Sequence, residues 1–324
     1  MSKRVSPNRP WTSAGPVALI AGPTASGKSD LAVELALELE RRGSRGVVIN
    51  ADSAQVYRDL RVLSARPSDE DMRGVEHRLF GAWDGADPCS AADWAAAAKR
   101  EIENAQLAEA VPILVGGTGL YLRTLLDGIA PVPTIDSAVR AAIRELPTAE
   151  AYAALQIEDP ERAAVLHAGD STRIARALEV VRSTGWPLAH WQARRVGGIG
   201  EAVELFPIVL LPEREALYLR CDLRFERMLE NGAIEEVAAL LERDLPPLSP
   251  VMRAIGVPEI AGFLRGEWSR EEVVVRGGQA TRNYAKRQYT WFRHQPPPDW
   301  PRYQMQSYDI KVIFETLFRY SWLT

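Results

Sequence analysis

Cysteine is nearly absent: Cys89 and Cys221 are the two in 324 residues. That excludes a disulfide framework and any zinc site of the CxxC type. Long apolar runs are missing too, since none approaches the roughly 20 residues of a membrane span. The N-terminus, MSKRVSPNRPWTSAG, is basic without an apolar stretch behind the charges, so it does not read as a signal peptide. There is no excess of charge of one sign. Lys+Arg number 39 against 43 Asp+Glu, a net charge of -4, so any nucleic-acid surface must be a local patch. Histidine is sparse: His77, His167, His190 and His294 show no metal-ligand spacing, and each reads as structural or surface. Neither a G-x-S-x-G elbow nor a Rossmann G-x-G-x-x-G occurs. What remains is ordinary globular composition, 46% hydrophobic and 25% charged, which excludes a largely disordered chain. The expectation is a soluble, cytoplasmic, monomeric protein with no membrane partner, folded as one large domain or a core with an insertion.

Residues 1–14 are expected to be a flexible N-terminus. The first ordered unit, 15–130, reads strand, glycine loop, helix, strand. Val17 to Ala21 is an apolar run suited to a strand buried on both faces. From Lys28, Leu31, Leu35 and Leu39 form one helical stripe. Gly46 to Asn50 is a second buried strand. Residues 92–109 read as an Ala-rich helix ended near Pro112, and Ile113 to Val115 as a third strand stopped by Gly116-Gly117-Thr118. Strands alternating with helices imply an α/β fold, a parallel sheet with helices on both faces. Residues 131–200 carry helical stretches and no strong strand run, and read as a mostly helical insertion. A strand over 205–211 returns the chain to the core, 201–300, with helices at about 213–242, 257–264 and 269–293. The tail, 301–324, is apolar and aromatic, without an assignable role.

Gly22-Pro23-Thr24-Ala25-Ser26-Gly27-Lys28-Ser29 matches G-x-x-x-x-G-K-[ST]. Its glycines let the backbone curl so that successive N–H groups face phosphate oxygens. The helix starting near Lys28 adds its positive end. Lys28 supplies a mobile charge and Ser29 a hydroxyl for Mg2+. The loop specifies a polyphosphate without saying which. A plain ATPase usually carries an acid at the end of an apolar strand, but the 113–115 strand ends in Gly-Gly-Thr. The acid is instead Asp52, after the second strand. Ligands of open α/β sheets sit beyond the carboxyl ends of the strands, so Asp52, Ser53, Gln55, Thr118 and the phosphate loop should converge. Asp52 reads equally as metal ligand, general base or helix N-cap.

Between Val273 and Pro298 there are five Lys/Arg and no acid. At 3.6 residues per turn, Arg282, Lys286, Tyr289 and Arg293 fall within about 60° on one helix face. Tyr284, Arg287 and Trp291 lie opposite. A cationic stripe with an interleaved aromatic suits a phosphate backbone and a stacked base, and a solvated basic face is the plainer alternative. A second basic pair, Arg173 and Arg176, follows Asp170-Ser171-Thr172 in the insertion.

Taken together, GPTASGKSDLA (22–32), INADSAQVYRDL (49–60), SARPS (64–68), VGGTGLYLRTLLDG (115–128), STRIARALEV (171–180), RMLENGAIEEV (227–237), AIGVPE (254–259) and TRNYAKRQYTWFR (281–293) resemble the tRNA dimethylallyltransferases, in the right order. The resemblance implies a P-loop NTPase-like core that moves the dimethylallyl group of dimethylallyl diphosphate to N6 of adenosine 37 in tRNA. It implies that residues 22–29 hold diphosphate with Mg2+ at Ser29. Lys28, Asp52 and Thr118 are then catalytic, Asp52 as the acceptor facing the adenine amine. It further implies that Asp52, Ser53, Ala54, Gln55, Thr118, Arg140, Thr172, Arg173, Arg176, Lys286, Arg287, Gln288 and Arg293 contact tRNA, as does the segment 252–257. Val257 and Pro258 depart from the tyrosine–lysine pair usual in the family, and Arg66 stands where lysine is common. Without a C-terminal zinc-finger extension, the bacterial form is the closer likeness. The competing expectations are an ATP-dependent small-molecule or nucleotide kinase, which gives no reason for the basic stripe, and a non-catalytic RNA-binding module.

Overall fold

The computed structural model describes residues 15–304 and 309–319; the expected flexible N-terminus, 1–14, lies outside them. The chain runs β1 (Pro16–Ala21), α1 (Lys28–Arg41), β2 (Arg45–Asn50), α2 (Asp69–Met72), β3 (Glu76–Arg78), α3 (Ala91–Leu107), β4 (Ala110–Gly116) and α4 (Gly119–Asp127). Next come α5 (Ser137–Glu145), α6 (Thr148–Glu158), α7 (Pro160–Val165), α8 (Ser171–Thr184) and α9 (Leu188–Gln192). β5 (Glu204–Leu210), α10 (Arg214–Glu230), α11 (Ala233–Leu241), α12 (Val257–Leu264), α13 (Arg270–His294), β6 (Arg302–Tyr303), α14 (Ile310–Ile313) and α15 (Glu315–Phe318) complete it.

The six strands form one sheet in the order β3-β2-β4-β1-β5-β6, every pairing parallel. β1 lies between β4 and β5, with Leu19 opposite Leu114 on one side and Pro207 on the other. All residues of β1 and β4 are buried, which is why both read as unbroken apolar runs rather than alternating ones. Leu31, Leu35 and Leu39 of α1 pack on this sheet with Ile20, Val48, Ile113 and Ile208. The architecture is the expected parallel α/β sheet flanked by helices.

Three local expectations are corrected. The Ala-rich helix stops at Leu107, and Pro112, expected to end it, sits inside β4 opposite Val47. Ala110 and Val111 already belong to the strand, so proline removes only one ladder donor. The helix expected over 213–242 is two helices, broken at Asn231-Gly232, where Gly232 is left-handed with φ 101°. The tail also acquires a place: β6 adds to β5, and Phe314 and Leu317 are buried in the cluster containing α1. The Arg42 guanidinium stands 4.1 Å over the Phe318 ring.

Contacts divide the described chain into two compact units, the sheet-bearing unit (through Leu126, then from Gly200) and a second spanning Asp127–Ile199. Helices α5 to α9 make up the second, which has its own core of Ile143, Leu155, Ile174 and Leu178. Among the described residues no helix is long and apolar enough to cross a membrane.

Candidate active site

The phosphate loop joins β1 to α1. Gly22 (φ 154°) is pressed so closely to β5 that a Cβ there would lie 2.5 Å from the Leu210 carbonyl oxygen. Gly27 is left-handed at φ 87° and turns the chain into α1. These backbone conformations suit glycine and leave the first N–H groups of a 14-residue helix facing the loop. Pro23, Thr24, Ala25 and Ser26 form the curve, with Ser26 buried. Lys28 Nζ donates to the Pro23 carbonyl at 2.6 Å and reaches Ser26 Oγ at 3.5 Å. Burial lowers the Lys28 ammonium to about 8, Asp52 opposing the shift and the Arg224 charge adding to it.

Asp52 is aimed by Asn50, which is fully buried at the end of β2. Asn50 Oδ1 accepts the Asp52 N–H at 2.9 Å, and its Nδ2 donates to the Asp52 carbonyl at 3.0 Å. Asp52 Oδ1 accepts the Ala54 N–H at 2.9 Å. That bond closes a turn, and no helix begins until Asp69, so the N-cap reading of Asp52 falls. Thr118 joins from the loop after β4: its Oγ1 accepts the Ser53 N–H at 2.9 Å and donates to Ser53 Oγ at 3.2 Å. The Tyr284 hydroxyl also hydrogen-bonds Thr118 and Ser53, and burial pushes that phenol upward.

Two cavities meet these groups. A small polar pocket of about 40 Å³ is lined by Lys28, Ser29, Asp52, Gln55 and Arg224, among others. A larger one, about 320 Å³, has Asp52, Ser53, Ala54, Tyr284 and Arg287 on its wall together with apolar Leu60, Leu63, Phe225 and Met228. Thr24, Asp52, Ser64 and Arg224 line both. The site therefore offers cationic groups on one side, an apolar chamber on the other, and a carboxylate where they adjoin.

Sequence reasoning missed Arg224. Its Nη1 lies 3.4 Å from Thr24 Oγ1 and its Nη2 donates to the Ala65 carbonyl at 3.5 Å. Desolvation lowers this guanidinium, against the pull of Asp52. The signal was available: Leu217, Cys221 and Phe225 are the buried stripe of α10, and Arg224 stands three residues after Cys221 on the same side. A charge within an apolar stripe asks for a partner.

Helix α13 needs a larger correction. The face carrying Arg282 and Tyr289 is not a free cationic stripe. Arg282 pairs with Asp222 of α10, and Tyr289 packs with Leu217, Cys221 and Ala285 under the Arg214 guanidinium. Lys286 and Arg293 remain exposed. The opposite face, Tyr284 and Arg287, lines the large cavity, and Trp291 packs against Gly119. Gln288, expected at the tRNA, is only 5% exposed. It accepts the Thr24 N–H at 2.8 Å and donates to the Gly117 carbonyl at 2.8 Å, tying the phosphate loop to the loop after β4. Gln55 is likewise a brace, its Nε2 donating to the carbonyls of Ser64 and Ala65.

In the second unit, Arg140, Arg144 and Arg176 surround the buried carboxylate of Glu179 at 3.8, 3.1 and 3.5 Å. Arg173 pairs with Asp170, the N-cap of α8, and Thr172 is exposed in the first turn. In the segment 252–257, Arg253, Ala254 and Ile255 line the large cavity, whereas Val257 is buried. Pro258 occupies the first turn of α12, where its missing N–H is harmless. Arg66, at the family's lysine position, donates to the Tyr57 carbonyl at 3.3 Å. Among the described residues no group of three or more His, Cys, Asp or Glu could hold a metal.

A family model described as IPP transferase matches residues 55–295. A tRNA dimethylallyltransferase of Erythrobacter litoralis is 64% identical over 310 residues, covering 96% of this chain and 98% of the relative. One from Novosphingobium aromaticivorans is 68% identical over 266 residues, 82% of this chain and 95% of the relative. The solved tRNA isopentenylpyrophosphate transferase of Bacillus halodurans aligns with a TM-score of 0.67 at 31% identity, over 95% of this chain and 96% of that one. A eukaryotic dimethylallyltransferase acting on tRNA gives 0.71 at 27% identity, over 86% and 70%.

Proposed function

Because the chain belongs to the IPP transferase family, we propose that it moves the dimethylallyl group of dimethylallyl diphosphate to N6 of adenosine 37 in tRNA and releases diphosphate. The observation that carries this reading is the position of Asp52, on the wall of both the cationic pocket and the apolar chamber. A prenyl diphosphate has that same two-part chemistry, and the acceptor nitrogen must arrive where the parts join.

The roles follow from the groups present. The loop N–H groups, Lys28 and Arg224 bind the diphosphate and stabilise the negative charge that grows on it as the allylic C–O bond breaks. Leu60, Leu63, Phe225 and Met228 take the prenyl carbons and exclude water, which would otherwise capture an allylic cation. An exocyclic adenine amine is a weak nucleophile, since its lone pair is delocalised into the ring. Asp52 accepts its hydrogen bond and then its proton as the C–N bond forms. Thr118, fixed by Ser53 and Tyr284, orients that exchange. The adenine reaches the chamber by leaving its stack. Arg287, at the chamber wall, and the exposed Lys286 and Arg293 meet RNA phosphates, as do Arg140, Arg173 and Arg176 of the second unit.

Mg2+ fits the small polar pocket through the Ser29 hydroxyl on its wall, with substrate phosphates and water completing the ion's shell. When bound, it supplies charge neutralisation to the leaving diphosphate. In this reading the enzyme acts as a monomer on cytoplasmic tRNA. The test is to incubate the protein with unmodified tRNA carrying A36 and A37, Mg2+ and dimethylallyl diphosphate, then digest and weigh the nucleosides. Prenylated adenosine is expected. Its absence, with γ-phosphate transfer from ATP, would return the reading to a kinase.

A further inference from the structure

The segment 59–65 forms the chamber wall opposite α10, and it is gripped from α11. Three successive N–H groups, of Arg61, Val62 and Leu63, point at the Glu236 carboxylate: Oε1 accepts the first two and Oε2 the third, the latter two at 2.9 Å. Consecutive N–H groups converging in this way make an anion nest, and here the anion is the protein's own. Just beyond α11, Arg243 ties the same segment a second time by pairing with Asp59 and Asp84, while Asp59 Oδ2 accepts the Gly85 N–H at 2.8 Å.

What this grip holds is specific. Leu60 and Leu63 line the chamber, Ser64 lines both cavities, and the Ala65 carbonyl accepts Arg224 Nη2. Asp52, at the start of the same connection from β2 to α2, is braced independently by Asn50. The two ends of the loop therefore have separate anchors, one for the proton acceptor and one for the donor-side wall.

We propose that Glu236 is a positioning residue for the prenyl diphosphate, setting donor affinity by fixing the 61–65 wall and the carbonyl that aims Arg224. The proposal rests on the reading of Arg224 and the chamber given above. Replacing Glu236 by Ala leaves all three N–H groups without their acceptor. Glu236→Gln keeps Oε1 for Arg61 and Val62 but turns an amide NH2 toward the Leu63 N–H, releasing one.

The experiment measures KM and kcat for dimethylallyl diphosphate and for tRNA in wild type, Glu236→Gln, Glu236→Ala and Arg224→Ala, with hydrogen exchange on the first two. Glu236→Ala is expected to raise the donor KM about tenfold or more, Glu236→Gln less, with kcat within about threefold and the tRNA KM unchanged, the pattern of lost ground-state binding. Amides 61–65 of Glu236→Gln should exchange faster while the sheet does not. Equal losses in kcat at unchanged donor KM, or unaltered exchange at 61–65, would overturn the proposal. If Glu236→Ala does not fold, the Gln variant alone decides on the same two readouts. An unchanged donor KM in Arg224→Ala would instead sink the reading of Arg224, and an inactive wild type the reading of the chamber. Exchange at 61–65 still tests the anchor in both cases.

Discussion

Gln288 gives the sharpest separation between an RNA contact and an internal brace, through the change Gln288→Leu. The side chain is nearly isosteric but loses both amide partners. The Thr24 N–H loses an acceptor at 2.8 Å and the Gly117 carbonyl a donor at 2.8 Å. A buried backbone group without a partner costs about 1–3 kcal/mol. Thr24 lines both cavities, so water reaches its N–H and that loss falls at the low end. Gly117 is shielded by Gln288 itself and carries more of the penalty. The sum is about 2–4 kcal/mol, which for a chain of this size corresponds to a drop in Tm of about 3–6 °C. Because the Thr24 bond shapes the phosphate loop, the donor KM should also rise. The tRNA dissociation constant, measured at fixed salt by filter binding, should stay within about twofold. An unchanged Tm together with tRNA binding weakened about tenfold would refute the argument and put the side chain at the RNA.

Asp52→Asn keeps the shape but not the proton acceptor, and should lower kcat by about 10²–10⁴ with the donor KM little altered; retention of most of the wild-type kcat would remove the base. Lys28 is held near 8, below its ordinary value, by burial. Its charge is therefore present below that pH and lost above it, so kcat/KM for the donor should fall about tenfold per unit above about pH 8 while kcat at saturating donor holds further, the bound anion raising the ammonium again. A flat kcat/KM to pH 10 would contradict this. Arg282→Ala should cost less than about 1 kcal/mol, since its pair with Asp222 is partly solvated, and should leave tRNA affinity within about twofold; strong weakening would restore the cationic stripe.

How much of this was legible in the sequence depends on whether the signal was local. The phosphate loop, β1, α1 and β2 could be read because each is one contiguous run whose pattern matches its environment: unbroken apolar strands inside a parallel sheet, and leucines at every fourth position, 31, 35 and 39, on the covering helix. Asp52 and Thr118 could be placed at a common crevice because strand ends define it. The α13 face could not. Periodicity gives which residues share a side of a helix but not which side meets a neighbour. The choice was made by Asp222 and Leu217 on α10, about 60 residues earlier in the chain. Gln288 and Gln55 look like recognition residues by type, and only the backbone groups beside them reveal internal braces. Pro112 in a central strand misled because proline usually marks an end.

In the proposed mechanism, Arg224 and Lys28 make the site one for a polyanion rather than a neutral prenyl donor. Both are drawn down by desolvation, and Asp52 is the carboxylate that opposes the shift in both. Two cations sharing one carboxylate in a low-dielectric wall are stabilised by any further negative charge placed between them. A diphosphate supplies that charge at the loop. With the donor seated, the amine that reaches Asp52 meets its electrophile already in place. The expected order of binding is therefore the diphosphate ester first, the adenine amine second. Product-inhibition patterns test it, with diphosphate competitive against dimethylallyl diphosphate and noncompetitive against tRNA. Competitive inhibition of tRNA by diphosphate would show that the acceptor does not need the filled loop.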